Sequence, residues 1–212
     1  MTYLPATQKI LSLCLITIAL CSCSRGKGIN LYPYKQHTLS PQNFELCHGF
    51  SCTYKTPVSI SQTQWQEALN IFHPPATNAA EEKQKIAHAI AMIERTVNTI
   101  TKMNPDLGKA ENFESDEDQM DCIDETINTS LFLKFLEKEN VIKWHKVGEP
   151  IHRGYFIDAM WPHNSATIIE KSSNQVFAVD SYWYNNGAPA QIIHMDIWMD
   201  SWDPTEDENP TP

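Results

Sequence analysis

Positive charge is scarce in this 212-residue chain, which has 16 lysine and arginine residues against 26 aspartate and glutamate residues. Removal of a predicted signal segment, residues 1–22, would leave 15 basic and 26 acidic residues, a net charge of −11. Contacts to phosphate need clustered lysine and arginine, so this balance argues against nucleic acid as a partner. The sequence also has no glycine-rich phosphate loop, and we expect no cofactor and no metal.

The chain begins with a hydrophobic run that is too short to cross a bilayer. Ile10–Leu20 has eleven residues and follows Lys9, which is typical of a signal-peptide core. The segment Leu20-Cys-Ser-Cys23 resembles the lipobox of bacterial lipoproteins, with cleavage after Ser22 and lipid on Cys23. We therefore expect a membrane-anchored lipoprotein on the periplasmic side of the bacterial cell envelope. A soluble periplasmic or secreted protein is the alternative.

Cysteine is scarce once this segment is removed. Three cysteines remain for the folded domain: Cys47, Cys52 and Cys122. The first two lie five residues apart in an exported chain, which favours a disulfide and leaves Cys122 unpaired. The competing interpretation is a metal site formed by Cys47, His48 and Cys52, but no second cysteine pair supplies the other ligands of a closed zinc site.

The unpaired cysteine stands at the predicted start of an amphipathic helix. Apolar residues follow at four-residue steps, at Ile123, Ile127, Leu131 and Phe135, and Leu133 and Leu136 widen this stripe. The helix is predicted to end near Asn140. A thiolate at a helix start faces unpaired backbone N–H groups and the positive end of the helix dipole. Both lower the pKa of a thiol and make it a nucleophile near neutral pH. Asp121, Asp124 and Glu125 oppose this with negative charge but are also ordinary caps. A buried, inert cysteine is the alternative.

Two β-rich runs further along predict a hairpin. They are Trp161–Glu170 and Gln175–Tyr184, separated by Lys171–Asn174. With a loop of two or four residues, paired positions sum to 345, so His163 lies opposite Tyr182 and Asp180 lies diagonally on the same face. A one-residue change in the loop would put His163 and Asp180 on opposite faces. The order Cys122, His163, Asp180 fits a nucleophile, a base and an orienting carboxylate, and a structural histidine with a turn aspartate is the alternative.

These residues resemble the transglutaminase-like superfamily of papain-like thiol enzymes, with 41 residues from the first to the second and 17 from the second to the third. Four segments resemble a group of bacterial transglutaminase-like proteins: Asp121-Cys-Ile-Asp-Glu-Thr, Trp144-His-Lys-Val-Gly, Pro162-His-Asn-Ser-Ala and Ala178-Val-Asp-Ser-Tyr-Trp. The resemblance covers about residues 45–200. It implies that Cys122 is the nucleophile, His163 the general base and acid, and Asp180 the orienting carboxylate. Eukaryotic members usually follow the nucleophile with tryptophan, whereas Ile123 stands here.

The resemblance also implies the fold, an α+β domain in which the nucleophile helix packs on an antiparallel sheet. We expect a signal peptide (1–22), a tether (23–44), one transglutaminase-like domain (45–200) and a disordered acidic tail (201–212). Helices are predicted from Ser61 to Phe72 and over Ile86–Ile100, with His88 on the helix surface. Residues Lys143–Val147 and Gly154–Met160 are predicted strands that join the hairpin.

Other segments carry weaker expectations. Pro189–Trp198 predicts a last strand or a short helix, and Met103–Asp118 predicts an acidic, solvated loop. Four aromatic residues are expected in the core or in a cleft wall: Trp144, Trp161, Tyr182 and Trp183. We expect Trp161 to bind substrate, because it is next but one to His163.

The sequence therefore predicts an exported thiol enzyme that acts on an amide bond, as a cysteine peptidase, amidase or acyl transferase. Its substrate would be a protein, a peptide or another amide-containing compound of the cell envelope. The alternative is a catalytically silent binding or scaffold lipoprotein that uses the same fold.

Overall fold

A computed structural model describes residues 40–109, 116–154 and 162–204 of the chain. The predicted signal peptide, the predicted lipidation site Cys23, Trp161 with its predicted role in substrate binding, and most of the acidic tail lie outside these ranges. Within them, no helix has the length and apolar character needed to cross a membrane.

The described chain has an α+β arrangement, with two strands, three helices, five strands and a last short helix in chain order. In chain order the elements are β1 (Phe44–His48), β2 (Tyr54–Val58), α1 (Gln62–Asn70), α2 (Ala79–Thr101), α3 (Cys122–Lys138), β3 (His145–Val147), β4 (Ile151–Arg153), β5 (His163–Glu170), β6 (Val176–Asp180), β7 (Gln191–His194) and α4 (Met195–Met199). This combination of helices with antiparallel sheets confirms the predicted α+β class.

The main sheet is antiparallel and has the strand order β3-β5-β6-β7, with β4 also paired to β5. In the β5–β6 hairpin Ala166 lies opposite Val179 and Ile168 lies opposite Phe177, so paired positions sum to 345. The predicted register is therefore confirmed. It matters for the site because β5 begins at His163 and β6 ends at Asp180, at the same end of the hairpin.

Helix α3 lies at the centre of the fold rather than at its surface. Leu133 and Leu136 are fully buried in the main core. The polar Thr126, Asn128 and Thr129 are buried as well. The predicted helix is thus buried on its polar side as well, because the small β1–β2 sheet and the end of β6 cover that side with hydrogen-bonding partners.

One such partner set joins α3 to the small sheet. The Asn128 side chain accepts the backbone N–H of Cys47 at 2.9 Å and donates to the Cys47 carbonyl at 2.8 Å. Both polar groups of the amide are thus satisfied in the interior, as buried polar groups must be.

The fold also includes residues 40–44, which were predicted to belong to the tether. Phe44 is buried, and the Pro41 carbonyl accepts the N–H of Ile60.

The two helices that precede α3 follow the sequence signals closely. Ser61 caps α1 in a capping box with Gln64, and Asn78 caps α2. The α2 residues Ile86 and Ile90 are fully buried, as their spacing predicts. His88 is exposed, which confirms its surface position.

Helix α2 is fastened to the sheet by one buried carboxylate. Glu82 accepts the backbone N–H groups of Lys143, Trp144 and His145 at 2.6–2.9 Å and contacts His145 Nδ1 at 2.9 Å. Because the first two of these N–H groups turn toward Glu82, β3 starts only at His145 and not at Lys143 as predicted. Trp144 is 39% exposed, so its predicted place in the core or in a cleft wall is wrong.

Three further predicted segments are Gly154–Met160, Pro189–Trp198 and the loop Met103–Asp118. Gly154 lies just beyond the end of β4, and the rest of the predicted strand Gly154–Met160 lies outside the described residues. The segment Pro189–Trp198 contains both predicted elements, since β7 is followed directly by α4. In the predicted solvated loop, Asp106 is buried and accepts the N–H of Met120 at 2.6 Å.

Candidate active site

Cys122 is the first residue of α3, as the sequence predicts. The cap is Asp121, whose Oδ1 accepts the N–H groups of Ile123 and Asp124 at 2.9 and 3.0 Å. Asp124 completes a capping box by accepting the N–H of Asp121 at 3.2 Å. In the described part of the chain no group accepts the N–H of Cys122. That N–H therefore remains available beside the sulfur.

His163 and Asp180 form a buried pair at the end of the hairpin. Nε2 of His163 lies 2.8 Å from Oδ2 of Asp180, and the two residues are 4% and 3% exposed. This is the diagonal relation that the register of 345 predicts. The Cys122 side chain is close enough to His163 to help raise the pKa of that imidazole. Because Nε2 is taken by the carboxylate, Nδ1 is the ring nitrogen left for the sulfur.

The charges of this pair reinforce each other. Burial disfavours the imidazolium, but the Asp180 carboxylate and the neighbouring Cys122 outweigh it and raise the pKa of His163 to about 9. Burial likewise disfavours the carboxylate, yet His163 and the indole of Trp198 hold the pKa of Asp180 below its ordinary value. At neutral pH the structure therefore favours a protonated histidine between an aspartate and a sulfur.

Trp198 is a site residue that the sequence analysis did not single out. Its indole N–H donates to Oδ2 of Asp180 at 2.7 Å, the same oxygen that His163 contacts, and the side chain is fully buried. Tyr182 and Trp183 also pack against the imidazole, with ring centroids 5.0 and 5.3 Å away. The apolar pattern around Trp198 indicated only an element of structure, so nothing in the sequence linked it to Asp180.

Arg153 contacts Trp198 through its ring and through its backbone. Its guanidinium lies 4.6 Å from the centre of the Trp198 ring and donates to the backbone carbonyls of Trp198 and Trp202. Arg153 lies opposite His163 in the β4–β5 pairing and is 5% exposed. The Arg153 guanidinium thus connects the C-terminal helix to β4, the strand that pairs with the start of β5 at His163.

Asn164, the second residue of β5, also contacts the Cys122 sulfur. Its Nδ2 lies 3.7 Å from Cys122 Sγ, and its Oδ1 lies 3.1 Å from Nδ1 of His152. Asn164 is 7% exposed. In the sequence Asn164 stands out only as part of the segment Pro162-His-Asn-Ser-Ala, and no local pattern indicates a role for it.

The disulfide between Cys47 and Cys52 is present, as predicted, and Cys122 is the free cysteine of the described residues. The competing metal site fails because the His48 ring is used elsewhere, contacting the Glu117 carbonyl and Thr56 Oγ1. Asp124 lies beside the two sulfurs, which are joined to each other and so are not thiolate ligands.

Three further carboxylates are buried, namely Glu125 of α3, Glu94 of α2 and Asp106. Burial and neighbouring acids raise the pKa of Glu125 to about 7 and that of Asp106 to about 8, and raise the pKa of Glu94 well above its ordinary value. Glu125 accepts a hydrogen bond from Ser181, the residue after Asp180, at 2.6 Å. Glu94 accepts the N–H of Gly187 at 2.9 Å. These acids line a pocket separate from the sulfur.

The loop that contains Asp106 is fastened to the chain that follows Asp180. The N–H of Lys109 donates to the carbonyl of Tyr182 at 2.9 Å, and the N–H of Gly108 donates to Asn185 at 3.1 Å. A Cβ on Gly108 would lie 2.6 Å from the Trp183 carbonyl, so the close approach requires glycine.

The structure brings together three of the predicted site residues, Cys122, His163 and Asp180, whereas Trp161 and Cys23 lie outside the described ranges. Comparison of the chain with protein-family models, with curated proteins and with solved structures found no match.

Proposed function

We propose that this protein is an exported thiol enzyme that cleaves an amide, or transfers its acyl group, through Cys122, His163 and Asp180. The observation that carries the proposal is the buried pair of His163 Nε2 and Asp180 Oδ2 at 2.8 Å, together with Asn164, the residue after His163, which lies 3.7 Å from the Cys122 sulfur. A nucleophile, a base and an orienting carboxylate in this order form the arrangement used in acyl transfer.

The chemistry follows from the protonation of the pair. With the pKa of His163 near 9, its imidazolium stands near the sulfur at neutral pH, where its positive charge is the partner that a reacting thiolate needs. The thiolate attacks the amide carbonyl, a C–S bond forms, and the carbonyl electron pair moves onto oxygen. When that pair returns, the C–N bond breaks and the amine leaves with the proton from His163 Nδ1.

The thioester then reacts with an acceptor. Neutral His163 takes a proton from water, the oxygen attacks the thioester carbon, and the C–S bond breaks to restore the thiolate and the imidazolium. An amine acceptor in place of water gives a new amide. Asp180 remains ionised throughout and keeps the ring oriented through Nε2.

The proposed architecture is the transglutaminase-like core. Its support is the sequence resemblance together with the position of the nucleophile at the start of a buried helix, the histidine at the start of a strand and the aspartate at the end of the next. The substrate class we propose is a protein, peptide or other amide of the cell envelope, reached by a membrane-anchored lipoprotein.

Turnover by triad variants tests the activity. Mass spectrometry of the purified protein, incubated with a panel of peptides and amines, should detect an acyl-enzyme on Cys122 and a hydrolysed or transamidated product. Cys122→Ala and His163→Ala should each abolish this turnover, and the double variant should be scarcely worse, because residues that act as a unit are not additive. Asp180→Asn should retain part of it.

The behaviour of Cys122→Ala can also contradict the proposal that this protein is an enzyme. If Cys122→Ala keeps the biological function of the protein, or unfolds it, then the sulfur has a structural role. A binding or scaffold lipoprotein would be the function to pursue in that case.

Location has its own test. The protein should sediment with membranes, its mature form should start at a lipid-modified Cys23, and Cys23→Ser should release it or leave it unprocessed. A native mature protein without lipid would refute the anchor while leaving the chemistry of Cys122 untouched.

A further inference from the structure

We infer that the side-chain amide of Asn164 is a second oxyanion donor of this site and that His152 is the positioning residue that orients it. The inference rests on the proposed function, since an oxyanion forms only if Cys122 attacks a carbonyl. Its basis is the position of Nδ2, 3.7 Å from Cys122 Sγ, and the contact of Oδ1 with His152 at 3.1 Å.

The two ends of the amide have different partners, and this decides its direction. An amide oxygen can only accept, so Nδ1 of His152 is the protonated nitrogen in the contact with Oδ1. The NH₂ group is then left pointing toward the sulfur. A reversed amide would need the other tautomer of His152, with Nδ1 as acceptor, and would present an oxygen to a thiolate.

A donor in this position meets the requirement of the reaction. When the thiolate attacks, negative charge develops on the carbonyl oxygen. This oxygen is bonded to the carbon that forms the new C–S bond, so it lies close to the sulfur. The N–H of Cys122, which no group in the described ranges accepts, approaches this region from the helix start. Asn164 approaches it from the strand, so two donors converge on the place where charge develops.

The surroundings make such a donor effective. Asn164 is 7% exposed and its neighbour His163 is 4% exposed, so water competes little for the amide. An oriented dipole in a water-poor site contributes more to a developing charge than the same group in water. Asn164 also sits at the first paired positions of β5, opposite His152 of β4, so backbone pairing sets the separation of the two side chains.

The alternative role for Asn164 is structural, namely to hold the Cys122 side chain in place. The two roles differ in which reactions they affect. Alkylation of sulfur by iodoacetamide forms a C–S bond and expels iodide without generating an oxyanion. Acylation by p-nitrophenyl acetate passes through a tetrahedral oxyanion before nitrophenolate leaves.

The test compares both rates on the full mature protein and on Asn164→Ala and the near-isosteric Asn164→Leu. We expect acylation of Cys122 to fall by about 100- to 1,000-fold, the effect of losing one oxyanion donor, while alkylation stays within about threefold. His152→Phe should lower acylation by a smaller factor with Asn164 intact. Asn70→Ala, an exposed asparagine at the end of α1, is the control and should change neither rate.

Each result decides something. An equal loss of acylation and alkylation in the Asn164 variants would assign the residue a structural role and overturn the inference. Unchanged acylation would overturn it while the proposed function stands. A wild-type protein that is alkylated but never acylated at Cys122 would refute the proposed function and the inference with it. If Asn164→Ala does not fold, the shape-matched Asn164→Leu and His152→Phe carry the test.

Discussion

The backbone N–H of Cys52 donates to Oδ1 of Asp124 at 2.6 Å, so the disulfide-closed turn rests directly on the first turn of the helix that carries Cys122. Ser51 adds a second bond of this kind to Asp121, at 3.0 Å. The chain at Phe50, Ser51 and Cys52 has φ values of 64°, 58° and 56°, a left-handed conformation that side chains rarely adopt. The disulfide holds this strained turn where its N–H groups meet the two capping carboxylates.

The first prediction is that loss of the disulfide destabilises the domain and slows the reaction of Cys122. Cys47→Ser with Cys52→Ser should lower the free energy of unfolding by about 2 kcal/mol, the effect expected for so short a loop. Freed from the turn, Asp121 and Asp124 should restrain the helix start less. Urea unfolding and the rate of alkylation at pH 7 would measure the two effects.

The matched variant for this experiment is Asp124→Asn, which keeps an acceptor for Cys52 but removes the ionisable carboxyl, whose pKa burial raises to about 8. It should lose less stability than the double cysteine variant. If the double variant is as stable as the wild type, then the turn does not support the helix start.

The second prediction is that Cys122 is the cysteine that iodoacetamide modifies in the non-reduced protein. Cys47 and Cys52 are joined, whereas the Cys122 sulfur is partly accessible and has His163 beside it. Its alkylation at pH 7 should be faster than that of glutathione and should slow strongly in His163→Ala. Peptide mapping by mass spectrometry would show label on Cys47 or Cys52 if the prediction is wrong.

The third prediction concerns the indole N–H of Trp198. Trp198→Phe keeps an aromatic ring but removes the donor to Asp180, so it should cost about 1.5–3 kcal/mol of stability, the range for a hydrogen bond to a charged group. Turnover should fall as well, because Asp180 then orients His163 less firmly. Thermal unfolding and the acylation rate of Cys122 are the measurements.

Trp65→Phe is the control for this change. Trp65 is also buried and donates its indole N–H to a carboxylate, Glu139, at 3.2 Å, but it lies in α1 away from the sulfur. It should lose stability without losing acylation. Equal loss of acylation in both variants would show that the Trp198 effect is only one of stability.

The fourth prediction is that stability falls as the pH rises from about 5 to about 9. Burial is the main reason that the pKa of Glu125 is about 7 and that of Asp106 about 8, and His163 has a pKa of about 9. In each case the folded pKa exceeds the unfolded one, so the folded state binds more protons and loses stability with rising pH. Asp180 and Glu82, whose pKa values are lowered, act in the opposite sense and only below about pH 4.5.

Glu125→Gln isolates one contributor to this slope. The amide keeps an acceptor for Ser181 but has no proton to lose, so the variant should gain on the wild type between pH 5 and pH 8, by about 3 kcal/mol at most. Melting temperatures across this range would measure it. Glu67→Gln, on the exposed face of α1, should leave the slope unchanged. A Glu125→Gln profile parallel to that of the wild type would contradict the prediction.

Local patterns determined much of what the structure contains. The spacing of apolar residues and the cap at Asp121 located the start of α3 at Cys122, because helix starts depend on neighbouring residues. The four-residue turn fixed the register of the β5–β6 hairpin, and that register places His163 beside Asp180. Proximity along the chain is sufficient for each of these predictions.

Only the tertiary structure decided which distant groups meet at the site. Trp198 reaches Asp180, Asn164 reaches Cys122 and Asp124 accepts Cys52, and these contacts depend on how whole elements pack. The amphipathic pattern of α3 did not indicate that its polar residues would be buried, since a polar residue looks the same in a sequence whether water or a buried partner satisfies it. The covering sheet and turns supply those partners, and no local pattern records which elements will cover a given face.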